Sequence, residues 1–243
     1  MRTDRVIVIG ASSGIGAGLV KVLAQRGSQV AAVARRRPEL EALAEECEGQ
    51  VTAYVHDVRQ LDEVPLLFDE IAAKLGGVDL VVYAAGVMPE IEEGEYNTAK
   101  DEQMLRVNLM GAIAWLNLAA ARMEQQGKGA IVGISSVAGD RGRRGNPVYT
   151  ASKAGLNAYL EALRNRVSRY GVNVVTVKPG PVDTPMTAGS PQPLIISTER
   201  CVQGILRLVD QDRPVTGYVP RIWGIIMWLI RGVPSFLFRR TNI

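Results

Sequence analysis

Short apolar runs and longer amphipathic stretches alternate along almost the whole chain. Runs rich in Val, Ile and Ala predict strands at residues 5–10, 28–34, 51–57, 78–86, 130–136, 172–180 and 216–220. The stretches between them repeat apolar residues at three- and four-residue spacing, which predicts helices at 14–27, 38–49, 61–76, 101–127, 149–171 and 198–211.

The predicted strands lack a polar residue at every second position. Strands of that kind are covered by helices on both faces, as in parallel sheets. The regular alternation of strand and helix therefore predicts an α/β fold: a doubly wound (Rossmann) parallel sheet of about seven strands, with helices on both faces, in a single domain. The polar and glycine-rich segments after the strands are then expected at one edge of the sheet, where ligands bind.

Composition narrows the class of protein. The chain has 243 residues, 47% hydrophobic and 22% charged, which is typical of a globular domain. A net charge of +3 is too small to indicate nucleic-acid binding, and we expect none. Cys47 and Cys201 are far apart and indicate thiols in a reducing compartment, so we expect a cytoplasmic protein. The first predicted strand begins at residue 5, so we expect no signal peptide.

The chain has a single histidine, His56, at the end of the third predicted strand. A Ser-His-Asp hydrolase would need that one residue, and a zinc site would need ligands that the chain barely contains. We therefore expect His56 to be structural and expect no metal site.

A glycine-rich segment, "VIGASSGIGAG", joins the first strand to the first helix. Gly10, Gly14 and Gly16 allow a tight turn and close approach of a pyrophosphate to the helix N-terminus. A purely structural turn is the alternative, but the strand–turn–helix context is the one that dinucleotide binding requires.

The second strand ends in Ala34, followed by Arg35, Arg36 and Arg37. An NAD site usually has an acidic residue here for the ribose 2′-hydroxyl, whereas guanidinium groups pair with a 2′-phosphate. With Ser12 as an additional hydroxyl donor, the pattern predicts NADPH/NADP+ and makes NAD(H) the less favoured cofactor. The alternative is that the arginines are simply solvated.

Four polar residues suggest carbonyl chemistry. Tyr149 and Lys153 lie one helical turn apart, Ser136 ends the fifth strand, and Asn108 interrupts an apolar helix. Hydride attack on a carbonyl leaves an alkoxide that needs a proton. A phenol can supply it, an ammonium beside the phenol is expected to lower its pKa, and a serine hydroxyl can polarise the carbonyl oxygen. A surface pair on an amphipathic helix is the alternative for Tyr149 and Lys153.

With these motifs the sequence resembles the short-chain dehydrogenase/reductase family in its compact single-domain branch. The matching segments are "GASSGIG", "HDV", "AAG", "ISS", "YTASK" and "PGPVDT". Two positions depart from the family pattern, Ile9 before Gly10 and Tyr83 before "AAG", and both concern bracing of the central strands. The resemblance implies a catalytic tetrad of Asn108, Ser136, Tyr149 and Lys153.

The resemblance also implies how the cofactor is held. Asp57 would contact the adenine, residues 180–184 the nicotinamide carboxamide, and a water on Asn108 would continue a proton relay from Lys153. The complete expected cofactor set is Gly10, Ser12, Ser13, Gly14, Ile15, Gly16, Arg35, Arg36, Asp57, Val58, Ala85, Gly86, Tyr149, Lys153, Pro179, Gly180, Val182 and Thr184.

The expected substrate is apolar, because residues 184–198 contain no charged side chain. We assign residues 1–220 to the dinucleotide-binding and catalytic domain and residues 221–243 to an apolar tail of the same domain. The run from Ile222 to Ile230 is too short to span a bilayer. Its tryptophans and flanking arginines are typical of an interfacial membrane segment, and a subunit contact or a flap over the core explains them equally well.

Parts of the chain resemble membrane-associated family members that reduce keto groups on lipid or polyprenyl-linked sugars, which favours a lipid-like carbonyl substrate and peripheral membrane contact through residues 221–240 at the inner face. The family also implies a homodimer or homotetramer. A non-catalytic NADPH-sensing or scaffold protein on the same fold is the main alternative function.

Overall fold

The computed structural model describes residues 3–92, 94–189 and 192–241. The described residues do not include residues 1–2 and 242–243 of the predicted first and last segments, residue 93, or residues 190–191 of the predicted substrate segment. The strands are β1 (Arg5–Ile9), β2 (Gln29–Ala34), β3 (Val51–Val55), β4 (Leu80–Tyr83), β5 (Gly129–Ile134), β6 (Val172–Pro179) and β7 (Val215–Val219).

Helices connect the strands and continue beyond the last of them. They are α1 (Gly14–Gln25), α2 (Arg37–Glu46), α3 (Val64–Leu75), α4 (Thr98–Leu105), α5 (Gly111–Gln126), α6 (Pro147–Val167), α7 (Thr198–Val209), α8 (Ile222–Gly232) and α9 (Ser235–Phe238). A π-helical turn, Arg106–Met110, joins α4 to α5. A 3₁₀ turn, Val137–Asp140, follows β5.

The strands of the described chain form one parallel sheet in the order β3-β2-β1-β4-β5-β6-β7. This confirms the predicted doubly wound α/β fold of seven strands. The order reverses between β1 and β4, and the crevice at the carboxyl ends of such neighbouring strands is where ligands bind in this kind of sheet.

Both faces of the sheet are buried, as the continuous apolar runs predict. In β1, Val6 and Val8 contact the layer formed by α1, α2 and α7, whereas Ile7 and Ile9 contact the layer formed by α3, α5 and α6. All four side chains are fully buried. The core is therefore two helix layers on one sheet, and the polar loops are left for the sheet edge.

One helical stretch, Thr98–Gln126, is long and apolar enough to cross a bilayer by length and composition, but half of its apolar window is buried in the protein. Trp115 and Leu116 on this stretch are fully buried in the layer that covers the sheet. Its apolar composition is therefore explained by its place in the core.

The C-terminal tail forms α8 and α9. Trp223 and Met227 of α8 are buried against Val137, the residue after Ser136. The opposite face of α8 is open, with Ile225 60% and Trp228 74% exposed. One side of the tail thus completes the packing around the end of β5, and the other side is an exposed apolar surface.

Candidate active site

The glycine turn brings three backbone segments into close contact. Gly10 has φ +92°, and a Cβ there would overlap the backbone of Ala85 after β4. A Cβ on Gly16 would overlap the carbonyl of Gly10. Ser13 precedes α1 without capping it through its side chain, and the first turn of α1 has no acidic residue. The positive end of α1 is therefore available to an anionic group such as a pyrophosphate.

Arg36 lies beside this turn. Its Nη2 atom donates to the hydroxyls of Ser12 at 2.9 Å and Ser13 at 2.6 Å. Its Nη1 atom is 3.2 Å from Glu39, and about half of the side chain is exposed. No acidic residue ends β2, where Ala34 stands. A guanidinium and two hydroxyls therefore meet at the position where the sequence predicts a phosphate.

Asp57 and Val58 follow β3. The Asp57 carboxylate accepts from the Arg59 guanidinium at 2.6 Å, and this hydrogen bond lowers the pKa of Asp57. Arg35 adds a weaker Coulombic contribution in the same direction. Val58 is buried in the core beneath the sheet edge. The predicted contact of Asp57 with adenine stays a prediction.

Ser135 and Ser136 point to different partners. Ser135 is buried, and its hydroxyl donates to the carbonyl of Lys153 at 3.2 Å, which fastens β5 to α6. Ser136 is half-buried, accepts from the amide of Ala138 at 3.1 Å and hydrogen-bonds Tyr149. Ser136 is therefore the serine whose hydroxyl acts on the phenol.

The start of α6 presents Tyr149 and Lys153 together. Asn146 caps the helix by accepting from the Tyr149 amide at 3.0 Å. Lys153 Nζ lies 5.9 Å from the centre of the Tyr149 ring and donates to the carbonyl of Ile134 at 3.0 Å. Because Ile134 ends β5, the ammonium is held between the sheet and the phenol.

Burial governs the protonation of both side chains. It lowers the pKa of Lys153 to about 8. It also raises the pKa of Tyr149, opposite to the direction expected from the sequence. The hydrogen bond from Ser136 and the positive charge of Arg143 act against this rise. The cation that opposes this rise is Arg143, a residue absent from the predicted site.

Asn108 lies in the π-helical turn and is fully buried. Its Oδ1 accepts from the amide of Val87 at 2.8 Å, and its Nδ2 donates to the Val87 carbonyl at 3.0 Å and to Ser152 Oγ at 3.1 Å. π turns of this kind occur often at functional sites. These contacts fasten the segment after β4 to α6. The predicted relay through a water on Asn108 stays a prediction.

Ala85 and Gly86 lie between these groups. A Cβ on Gly86 would lie 3.6 Å from both Asn108 Oδ1 and Lys153 Nζ, and 3.8 Å from the terminal methyl of Met186. The segment after β4 therefore borders the tetrad, and the predicted substrate segment reaches over it.

The loop after β6 faces the glycine turn. The Gly180 amide donates to the carbonyl of Val219 at 2.9 Å, and Val182 pairs with Ile196. A Cβ on Gly14 would lie 3.2 Å from the Thr184 methyl group. The residues predicted to hold the two ends of a dinucleotide therefore lie close together at Gly14 and Thr184, and their role stays a prediction.

Sequence reasoning did not predict how the loop after β5 holds the tail. Arg141 Nη1 donates to the carbonyls of Ile230 and Val233 at 2.6 Å each, and its guanidinium lies 4.0 Å from the Phe238 ring centre. Asp140 pairs with Lys178 at 2.5 Å. A basic loop and an apolar tail are visible in the sequence, but no local pattern pairs them.

His56 packs in the core, as expected. It is 4% exposed, meets the edge of Trp115 with ring centres 5.7 Å apart, and lies 3.5 Å from Glu63. Burial lowers its pKa.

A parallel sheet with a glycine turn, an open helix N-terminus and a Ser–Tyr–Lys group after its strands is the arrangement expected of a nicotinamide-dependent oxidoreductase. The family model for short chain dehydrogenases matches residues 4–194. The chain belongs to the short-chain dehydrogenase/reductase family, whose members bind a nicotinamide cofactor and act on small carbonyl or alcohol substrates.

Individual relatives agree with this assignment. An uncharacterized oxidoreductase of Myxococcus xanthus is 36% identical over 210 residues, 83% of each chain. A 3-oxoacyl-[acyl-carrier-protein] reductase of Bos taurus is 36% identical over 180 residues, 74% of this chain and 76% of the relative. A solved short chain dehydrogenase/reductase family protein superposes with a TM-score of 0.79 at 29% identity, covering 88% of this chain and 94% of that chain.

Proposed function

We propose that this protein is an NADP(H)-dependent oxidoreductase that interconverts a carbonyl and a secondary alcohol, with Tyr149 as general acid and base. The observation that supports this most is that Ser136, Tyr149 and Lys153 lie together beside the segment 85–86, which contacts the glycine turn. A relative named as a 3-oxoacyl-[acyl-carrier-protein] reductase supports the ketoreductase direction.

The cleft fits a dinucleotide. The backbone approach at Gly10 and Gly16 leaves no room for a side chain, and the uncapped N-terminus of α1 adds amide donors. The hydride for the carbonyl carbon would come from a reduced nicotinamide held there. Lys153, whose ammonium is fixed by the Ile134 carbonyl, would also hold a ribose hydroxyl.

Ser136 and Tyr149 position the carbonyl oxygen and transfer the proton. The Ser136 hydroxyl donates a hydrogen bond to the carbonyl oxygen, and Tyr149 transfers its phenolic proton to that oxygen as it becomes an alkoxide. The resulting phenolate is stabilised by nearby positive charge and by Ser136. In the oxidative direction the same phenolate accepts the proton of the alcohol.

Arg36 supports NADP(H) over NAD(H). Its guanidinium, with Ser12 and Ser13, offers charge-assisted donors to a 2′-phosphate. Arg35, exposed beside it, adds a second positive charge.

Deuterium transfer tests the proposed reaction. The protein is incubated with 4-deuterated NADPH of each C4 stereochemistry and a panel of apolar ketones, and the products are analysed by mass spectrometry. We expect deuterium on the carbinol carbon from one of the two cofactor isomers. NADPH binding without transfer to any ketone would favour a non-catalytic NADPH-sensing or scaffold protein instead.

An apolar part of the substrate is supported by the walls of the cleft. Met186 is apolar and 40% exposed, and its terminal methyl group lies 3.8 Å from the position of a Cβ on Gly86. We propose a cytoplasmic protein whose substrate has a hydrocarbon portion, in keeping with the uncharged segment 184–198.

The exposed face of the tail supports one of two contacts, an anionic lipid surface or a second copy of the chain. Arg221, Arg231, Arg239 and Arg240 flank its apolar side chains. Removing the tail would also remove Trp223 and Met227 from behind Val137, so substitutions on the exposed face are the sharper test.

The double variant Ile225→Ser/Trp228→Ser is compared with Leu66→Ser, which alters an 80% exposed leucine on α3. Loss of flotation with phosphatidylglycerol vesicles in the double variant alone supports the membrane contact. Loss of a homodimer or homotetramer in sedimentation supports the subunit contact. Wild-type behaviour of the double variant in both assays contradicts both.

A further inference from the structure

Arg143 is a half-buried cation in the loop between β5 and α6. Its Nη2 atom lies 4.0 Å from the sulfur of Met227, and desolvation by this burial lowers the pKa of the guanidinium. A thioether is a weak acceptor and does not neutralise a cation. The contact therefore positions the side chain against α8 without satisfying its charge.

The nearby carboxylate, that of Asp140, already has two other partners. The charge of Asp140 acts on Arg143, but one Asp140 oxygen is 2.5 Å from Lys178 Nζ and the other accepts from Tyr218 at 2.7 Å. Within residues 3–92, 94–189 and 192–241, no carboxylate oxygen lies within 4.0 Å of Arg143. The neighbouring Arg141, by contrast, is satisfied by the carbonyls at the end of α8.

The guanidinium lies near enough to the Tyr149 phenol for its charge to act on it. Its charge interacts with the Tyr149 phenol, which Ser136 hydrogen-bonds. Lys153 is fixed behind that phenol by the Ile134 carbonyl. Arg143 comes instead from the side of Met227, which packs on Val137 beside Ser136. A carbonyl compound that reached Tyr149 from the side of the loop after β5 would therefore meet this guanidinium.

We propose that Arg143 binds an anionic oxygen group of the substrate, a carboxylate or a phosphate, close to the reacting carbonyl. This rests on the proposed function and names its substrate class: an amphiphile with a hydrocarbon portion and an acidic group. A partly desolvated cation that no described carboxylate contacts directly is costly, and pairing with substrate would offset that cost. The planar fork of a guanidinium suits both kinds of anion.

This changes the expectation drawn from residues 184–198. That segment indeed offers no cation to an acidic substrate. The structure supplies one from a different segment, because the loop after β5 folds toward the start of α6.

Matched substrates test the proposal. The probes are an eight-carbon 4-oxo acid, its methyl ester, and the corresponding keto alkyl phosphate, each reduced with NADPH. For Arg143→Gln we expect kcat/KM to fall at least tenfold for the acid or the phosphate, and to stay within threefold for the ester. Arg143→Lys should recover part of the loss, and Arg144→Gln, on the exposed neighbour, should show none.

A loss of equal size on acid and ester, accompanied by a displaced pH profile, would show that Arg143 acts only on the pKa of Tyr149 and would overturn the proposal. An unchanged acid-to-ester ratio would do the same. If the wild-type protein reduces none of the probes, the proposed reaction is what fails. Quenching of NADPH fluorescence then measures binding of acid and ester directly, and equal or absent affinities would contradict the anion site.

Discussion

The candidate cleft has two walls that are built in different ways. The cofactor wall is formed by the glycine turn, Arg36 and the loop after β6, and the substrate wall by the loop after β5 and the C-terminal tail. On the cofactor wall the decisive contacts are close in sequence: Arg36 reaches Ser12 across 24 positions. On the substrate wall they are distant: Arg141 reaches Ile230 across 89 positions and Arg143 reaches Met227 across 84. The part of the cofactor wall around Ser12 and Arg36 is thus specified by one βαβ unit, whereas the substrate wall depends on how the C-terminal tail returns to the loop after β5.

Because of this difference, cofactor binding and substrate specificity depend on different parts of the fold. A dinucleotide needs the same turn, helix N-terminus and phosphate contacts whatever the second substrate is. Loops placed on a rigid sheet are where specificity is usually found. Gly180 and Trp223 join the two walls, since the indole nitrogen of Trp223 occupies the space that a Gly180 side chain would need.

The largest expected effect on the cofactor wall comes from Arg36→Asp. The substitution removes the guanidinium beside Ser12 and Ser13 and introduces a carboxylate that repels a 2′-phosphate and accepts from a 2′-hydroxyl. The ratio of NADPH to NADH affinity, measured by cofactor fluorescence, should fall by about tenfold to a hundredfold. Arg37→Asp, on an exposed neighbour paired with Glu41, is the control. An unchanged ratio in Arg36→Asp would show that this wall does not select the phosphate.

The junction of the walls is tested by Gly180→Ala. The added methyl group overlaps the buried indole of Trp223, and overpacking of this kind costs about 1–3 kcal/mol. We expect a lower free energy of unfolding and a roughly tenfold weaker NADPH affinity. Gly142→Ala, where a methyl group meets open space, is the matched control.

Trp223→Leu in the Gly180→Ala background should restore part of the lost free energy of unfolding and NADPH affinity, because the two side chains compete for one space. Strictly additive losses in the double variant would mean that the tail does not press on the loop after β6.

The smallest expected effect concerns the core beneath both walls. Burial lowers the pKa of His56, so below about pH 6.5 the unfolded chain binds a proton that the folded chain rejects. The free energy of unfolding should therefore decline gently from pH 7 to pH 5.5. His56 is the only histidine, so His56→Asn should flatten that decline in urea titrations. An equal decline of the free energy of unfolding with pH in both proteins would show that His56 does not cause it.

The cofactor wall and the sheet could be predicted from sequence. The apolar runs locate all seven strands within a few residues, because strands buried on both faces leave an unbroken apolar signature. Local residue spacing indicates the chemistry of the glycine turn and of Ser136, Tyr149 and Lys153. In the structure Lys153 lies beside Gly86, the residue after Ala85, whose backbone lies against Gly10 of the glycine turn.

The substrate wall could not be predicted in the same way. Arg143 stands in a basic loop whose residues look alike in the sequence, and only the packing of Met227 and the engagement of Asp140 distinguish it. The expected lowering of the Tyr149 pKa by Lys153 also failed, because the extent of burial is a property of the fold. The π turn at Asn108 has no sequence signature beyond a polar residue in an apolar helix.

The proton donor is the central claim, and Tyr149→Phe tests it most directly. The variant keeps the ring and its packing and removes only the hydroxyl. With a ketone that the wild-type protein reduces, NADPH oxidation should slow by about 10²- to 10⁴-fold while NADPH affinity stays within about threefold. NADPH oxidation within tenfold of the wild-type rate, at equal cofactor affinity, would contradict the account.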